Sequence, residues 1–303
     1  MRYLILIYIV FVLQSCKAQD NDEDIALFSK GIALYELQSD GFDLNIDNDS
    51  TFKQIIKLRK NVLNKSHGYF SELIKKYPKS KLYFYALNNK AQIEYELEEY
   101  DSARDTYIEI INSKANDKES YSSGGFMGES YTNYKNRACI QLANIEHENK
   151  NFKEAIKYLD LTNKYPYQHF CGNAYASRDI YMAQQYAKNY SALGDTEKTL
   201  NYLLPYVFPD GLADNTELVN FTVEFLKKIY GTENIKRMFA AAKQTLKYKE
   251  PKNKKSYGQY AITFLDKEII VPVPYSVYAE DLNNEMKEMS KAIDNSLISQ
   301  QLE

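Results

Sequence analysis

ALNNKAQIEYELEEYDSARDTYIEIIN (Ala86–Asn112) decides how this chain is read. Apolar residues recur at helical spacing on both sides of a break at Leu97-Glu98-Glu99, so the stretch predicts two short antiparallel helices joined by a tight turn. Ala91 is a small residue within the first of them. Tyr100, Ala103, Tyr107 and Ile110 form the facing stripe. Just upstream, Pro78 in Tyr77-Pro78-Lys79-Ser80 disfavours helical geometry at Tyr77 and cannot donate to a helical ladder, so a preceding helix must stop there.

Working outward, Phe52, Ile55, Ile56, Val62, Leu63, Tyr69, Phe70, Leu73 and Ile74 hold a helical phase through Ser66-His67-Gly68. One helix over 51–76 is predicted, capped by Asp49 or Ser50, with a break at 66–68 as the alternative. Before it, Ile25 to Leu37 forms another apolar stripe, ended by Asp40-Gly41. Downstream, the helix–turn–helix pattern returns twice. Asn136–Thr162 carries Ala143, Phe152, Ala155 and Leu159 in the corresponding places, and Ile180–Tyr206 carries Ala187, Thr199 and Leu203 around a Leu193-Gly194-Asp195 turn.

These three stretches resemble the tetratricopeptide repeat (TPR), a helix–turn–helix of about 34 residues. Ala91, Ala143 and Ala187 lie 52 and then 44 residues apart, and the usual turn glycine is missing at Glu98, so the resemblance implies an irregular array. The expected fold is all-α: a TPR-like α-solenoid over 25–250, with a small β-hairpin and a terminal helix over 251–303. A fourth pair is predicted within it. Its first helix runs from Asn215 or Thr216 to Tyr230, Gly231 is a left-handed cap, and its partner starts at Thr232.

Lys247–Lys255 is basic and polar and reads as a linker. After it the apolar period shortens. Tyr257–Phe264 and Glu268–Val273, joined by Leu265-Asp266-Lys267, predict a hairpin with Pro272 and Pro274 blunting its edge. One amphipathic helix over 279–298 follows, striped by Leu282, Met286, Met289, Ile293 and Leu297. Its expected role is to cap the end of the array, because terminal repeats need a polar outer face; a partner-binding tail is the alternative.

The N-terminus carries an address. Arg2 precedes an apolar run, Leu4–Leu13, that is too short to span a bilayer, for which about 20 residues are needed. Leu13-Gln14-Ser15-Cys16 resembles a bacterial lipobox, which implies removal of residues 1–15 and acylation of Cys16. Ordinary secretion with cleavage near Ala18-Gln19 is the alternative. Residues 16–24 are polar and acidic and read as a solvated tether. They resemble the surface-export signal of Bacteroidetes lipoproteins. The expected location is therefore the bacterial outer membrane, lipid-anchored, facing the periplasm or the surface.

The chain shows no motif for chemistry, so the reading is of a non-enzyme without cofactor or metal. A formal net charge of −3 speaks against a nucleic-acid surface. His67, His147 and His169 fall in no metal spacing, and no nucleophile elbow or P-loop is present. His169 and Cys171 are close in sequence but read as part of an aromatic loop before the third pair. Gly-rich Ser122–Gly128 lacks the lysine of a phosphate cradle; it spans the gap between the first two pairs, or lines a surface with Phe126 and Met127. Export permits a Cys139–Cys171 disulfide, since neighbouring first helices of such an array lie side by side. Two buried thiols are the alternative.

The family binds partners along the face made by successive first helices. Helical phase on that resemblance assigns Tyr85, Asn88, Gln92 and Tyr95 to the groove in the first pair. Arg137, Ile140, Asn144 and His147 follow in the second, and Tyr181, Gln184 and Lys188 in the third. Asn88 and Gln92 stand where the carboxylate-clamp version would carry lysine and asparagine, so a chaperone-tail ligand is not expected. The expected function is an envelope scaffold that holds another protein or peptide segment. The alternative is a glycan- or nutrient-binding helical-repeat lipoprotein accompanying an outer-membrane transporter, which the 28 tyrosines would suit.

Overall fold

A computed structural model describes residues 23–37, 49–115, 131–208, 211–251, 258–274 and 282–302. The leader, Cys16, most of the tether and Ser122–Gly128 lie outside the described residues. Within them the protein is mostly helical, with twelve α-helices and a small three-stranded antiparallel sheet near the C-terminus. The chain divides into two compact units, one of residues 1–149 and 160–168, the other of 150–159 and 169–303.

The first unit opens with helix α1 (23–37) on α2 (Asp49–Lys76). Their backbones approach closely because Gly31 has no side chain: a Cβ there would lie 2.7 Å from the Phe70 ring. Ser66 Oγ donates to the Gly31 carbonyl at 2.7 Å across the same crossing. As expected, α2 runs unbroken through Gly68. A single glycine costs a helix only about 1 kcal/mol, and Leu63, Phe70 and Leu73 on either side of it are fully buried. The tether ends earlier than the sequence reading placed it. Glu23 and Asp24 stand in the first turn of α1, accepting from Tyr77 Oη (2.6 Å) and from Ser80 Oγ. The Tyr77–Ser80 turn that stops α2 thus also holds the start of α1.

Helices α3 (Tyr83–Glu96) and α4 (Tyr100–Asn112) follow, with Ala91, Ile93, Ala103, Tyr107 and Ile110 buried between and beneath them. Their turn is a Schellman cap: Glu98 N donates to Tyr95 O (3.0 Å) and Glu99 N to Glu94 O (2.9 Å). This geometry needs positive φ, and Glu98 supplies it at 64° without the expected glycine. The same cap closes α7, where Gly194 (φ 76°) donates to Ser191 O and Asp195 N to Tyr190 O. Lys150 (φ 60°), just past α5 (Tyr134–Glu148), is the third left-handed residue of this kind.

The second unit contains α6 (Phe152–Leu161) up to Leu159, α7 (Gly172–Ala192) and α8 (Thr196–Leu203), then a 3-10 turn over Leu204–Tyr206. Helix α7 begins eight residues before Ile180, where the sequence reading started it. Residues 172–179 carry no buried side chain, so no apolar stripe marks them; they extend a helix already nucleated further on. Helices α9 (Thr216–Tyr230) and α10 (Thr232–Lys243) are the expected fourth pair. Gly231 joins them with positive φ (78°), but its ψ of 147° is extended rather than left-handed helical. It therefore ends one helix and starts the next in a single residue.

The sheet corrects two expectations. Lys247–Lys249, read as linker, is strand β1, paired antiparallel with β2 (Gln259–Phe264), which pairs with β3 (Lys267–Val271). What makes a strand of three polar residues is a distant partner: Tyr248 opposes Tyr260, with rings 5.2 Å apart. Lys247 and Lys249 both reach Glu268 on β3, Lys247 at 3.1 Å. The β2–β3 loop has two residues, Leu265 and Asp266, not three, both with positive φ (52° and 60°), the geometry of a type I′ turn.

The terminal helix also differs from its expectation. It is broken into α11 (Leu282–Asp294) and α12 (Leu297–Leu302) at Ser296, whose Oγ donates to Ile293 O at 2.6 Å. The break turns Ile298 and Leu302 into the same core as Met289 and Ile293, beside Leu226, Ile235 and Phe239. Lys227 Nζ fixes α12 to α9 through the Gln301 carbonyl, and Lys243 fixes α10 to Asp294, both at 2.8 Å. No described helix is long and apolar enough to cross a membrane.

Candidate binding face of the first unit

Helix α3 is polar on two sides, and the two sides differ in kind. On one, the Glu94 carboxylate is almost fully buried and receives donors from three helices. Lys90 Nζ lies 2.5 Å and His67 Nε2 3.0 Å from Oε1, and Thr106 Oγ1 donates to Oε2 at 2.7 Å. Burial pushes this carboxyl up, but the bonds from His67, Lys90 and Thr106 outweigh it and hold the group below its usual value. Glu146 occupies the corresponding place in α5, three residues after Ala143 as Glu94 is after Ala91. It is buried and accepts from Arg104 Nε of α4 at 2.9 Å. These acids face inward and clamp neighbouring helices. Sequence reasoning missed them because it treated acids as surface; their shared register after Ala91 and Ala143 was the available signal.

On the other side stand the side chains assigned to the groove. Gln92 Nε2 donates to Glu96 Oε1 (3.2 Å), and Gln92 Oε1 accepts from Tyr107 Oη (3.4 Å). The same Glu96 oxygen takes a short bond from Tyr35 Oη of α1 (2.6 Å), and its partner oxygen lies 3.7 Å from Arg59 of α2. Burial and the Glu96 carboxylate push the Tyr35 hydroxyl far above its usual range. Tyr85 packs its ring 4.8 Å from Phe28, and burial raises its hydroxyl too, opposed by the Arg137 charge. Arg137 also acts on Tyr35 and Tyr107. Tyr85, Gln92 and Arg137 therefore belong to one electrostatic neighbourhood, whose further members, Tyr35, Arg59, Glu96 and Tyr107, the sequence reading did not include. Tyr95 is half-buried, its ring edge-on to Tyr100 at 5.5 Å.

Not every assigned residue is available to a ligand. Asn88 is buried, since its position turns toward the core helices, and so is Gln184 in α7. Asn144 is half-buried and donates to Gln141 (3.1 Å), and Ile140 and His147 are half-buried on α5. The third set lies in the second unit, where Tyr181 and Lys188 are half-buried. Close to them in sequence, Tyr186 and Tyr190 stack on Tyr202 at 4.5 and 5.7 Å, with Lys198 over the Tyr190 ring.

Cys139 and Cys171 are thiols, the first buried in α5 and the second half-buried before α7. His169 Nδ1 accepts from the Cys171 backbone N–H at 2.9 Å, and its ring stacks on Phe170 at 4.7 Å. These contacts organise the loop; none links the imidazole to the thiol. Among the described residues, no group of three or more His, Cys, Asp or Glu is placed to hold a metal ion. No protein-family model matches the chain, and no curated protein is significantly similar to it.

Proposed function

We propose that the protein is a lipid-anchored scaffold of a bacterial envelope that holds a segment of another protein on the α3–α5 face of its first unit. In this reading its helix pairs form an irregular TPR-like array, and acylated Cys16 keeps it on the outer membrane. A buried alanine followed seven positions later by a left-handed turn residue recurs along the chain at Ala91 and Glu98, Ala143 and Lys150, and Ala187 and Gly194, and supports the repeat reading. The observation that carries the binding reading is the half-buried line of Tyr35, Gln92 and Glu96 beside Tyr85 and Arg137. Amide, phenol and guanidinium groups there can bond an extended backbone while rings pack its side chains.

The test has two arms. Metabolic labelling with a palmitate analogue should require Cys16; labelling that persists in Cys16→Ala removes the anchor. A photo-crosslinking residue in place of Gln92 should trap one defined envelope protein, and Tyr85→Ala should abolish the adduct. Capture of oligosaccharide instead, with no protein adduct, replaces this reading by the glycan-binding one.

A further inference from the structure

Along α2 from Lys53 onward, burial is uneven. Fully buried side chains begin at Leu63 and continue through Ser66, Phe70 and Leu73. Before it, every side chain from Lys53 to Asn61 except half-buried Ile55 is exposed, and Ile56 and Leu58 leave 40% and 50% of their surface in solvent. The same stretch carries Lys53, Lys57, Arg59 and Lys60, and no acidic residue occurs between Phe52 and Ser71. This cationic block sits in a chain whose net charge is −3.

A helix face that merely meets water interleaves its charges, because Glu–Lys pairs one turn apart stabilise it. The packed half of α2 does so, with Lys76 bound to Glu72. In the exposed half Arg59 reaches Glu96 of α3 at 3.7 Å, while Lys53, Lys57 and Lys60 stand among bulky aliphatics with no acid on their own stretch of helix. Lysines with exposed aliphatics and no acid suit the surface of an anionic bilayer, where ammonium groups meet phosphates and aliphatic side chains enter the headgroup boundary. An acidic protein would satisfy the lysines but would leave Ile56 and Leu58 without a role.

We propose that residues 53–61 of α2 form a second membrane contact, lying on an anionic lipid surface without crossing it. The contact does not require acylation, but it rests on the envelope reading for its proximity. Residues 17–22, between Cys16 and α1, span at most about 20 Å when extended, which brings the first unit to the bilayer. Lipid at Cys16 would hold the chain, and α2 would fix how the first unit faces the membrane.

The chain from Lys17 onward retains every described element and carries no acyl group, so it isolates the α2 contact. It is sedimented with vesicles of pure phosphatidylcholine and with vesicles in which about a third of the lipid is phosphatidylglycerol, a composition that makes the surface anionic. The expected result is binding to the anionic vesicles only, lost at about 0.5 M salt as screening shortens the reach of the charges. Lys57→Glu with Lys60→Glu should weaken binding about tenfold or more, with unchanged far-UV circular dichroism. Ile56→Ser with Leu58→Ser should leave the initial attraction but remove the most salt-resistant fraction. Equal binding to both vesicle types, no binding to either, or indifference to the charge reversals overturns the proposal, as does binding to polyglutamate without binding to vesicles. Palmitate labelling at Cys16 is read separately, so loss of the anchor and loss of the α2 contact are distinct outcomes.

Discussion

Replacing Glu94 by alanine is the sharpest probe of what holds the first unit together. Its side chain is 3% exposed, and it links α3 to α2 through His67 and to α4 through Thr106, with Lys90 closing the cluster. Breaking a buried charge pair from one side costs about 3–5 kcal/mol, because the remaining charge is left uncompensated. The lower end applies here: the Lys90 and His67 side chains are 23% and 27% exposed and can recover water once the carboxylate is gone. A loss of about 3 kcal/mol lowers the Tm of a unit of this size by about 6–12 °C, read by calorimetry on the transition that reports the first unit. Glu94→Leu combined with Lys90→Met should regain most of the loss, since an apolar replacement of similar volume leaves no unpaired charge. Equal melting of Glu94→Ala and the wild type, or equal loss in both variants, refutes the idea that the cluster acts through its buried charge. The pH dependence has a definite sign. The folded carboxyl is held below its usual value, so its stabilisation is present above the unfolded value, about 4.3 for Glu. It is lost as pH falls through the folded value, because the unfolded chain binds the proton first. The advantage of wild type over Glu94→Gln should shrink accordingly below about pH 4.

Three further outcomes follow from backbone geometry and close packing. Gly31→Ala drives a methyl into the Phe70 ring and should cost about 1–3 kcal/mol by chemical denaturation; a shift under a few tenths would mean that α1 moves away freely. Glu98→Gly relieves a left-handed non-glycine residue at an exposed turn and should stabilise by roughly 1 kcal/mol, whereas Gly194→Ala should destabilise by a similar amount. Leu265→Asn with Asp266→Gly supplies the residues a type I′ turn prefers; slower hydrogen exchange at Ile262 and Ile269 would report it, and unchanged exchange would count against that turn type.

Sequence periodicity alone located the helices that bury a continuous stripe. Ala86–Asn112 folds as read, as does the long α2, because each buries residues at helical spacing and the break between α3 and α4 carries its own turn signal. It failed where stability comes from a distant partner. Lys247–Lys249 has no strand composition and becomes β1 only because Tyr260 and Glu268 lie beside it. The break at Ser296 was equally hidden, since the stripe from Met286 to Leu297 continues in phase across it while the core beneath α9 and α10 requires the chain to turn.

The candidate face divides along the same line. Tyr85, Gln92 and Tyr95 were legible from the phase of α3, because residues one turn apart share a helix face. That Asn88 is buried, and that Glu94 points inward to His67 while Glu96 faces Tyr35 and Arg59, depended on which helices come to lie on either side of α3. Helical phase fixes the direction of a side chain relative to its own axis. Only tertiary packing decides what stands in that direction, and so whether a glutamate there is a solvated charge, a clamp between helices, or part of a surface that can hold a partner.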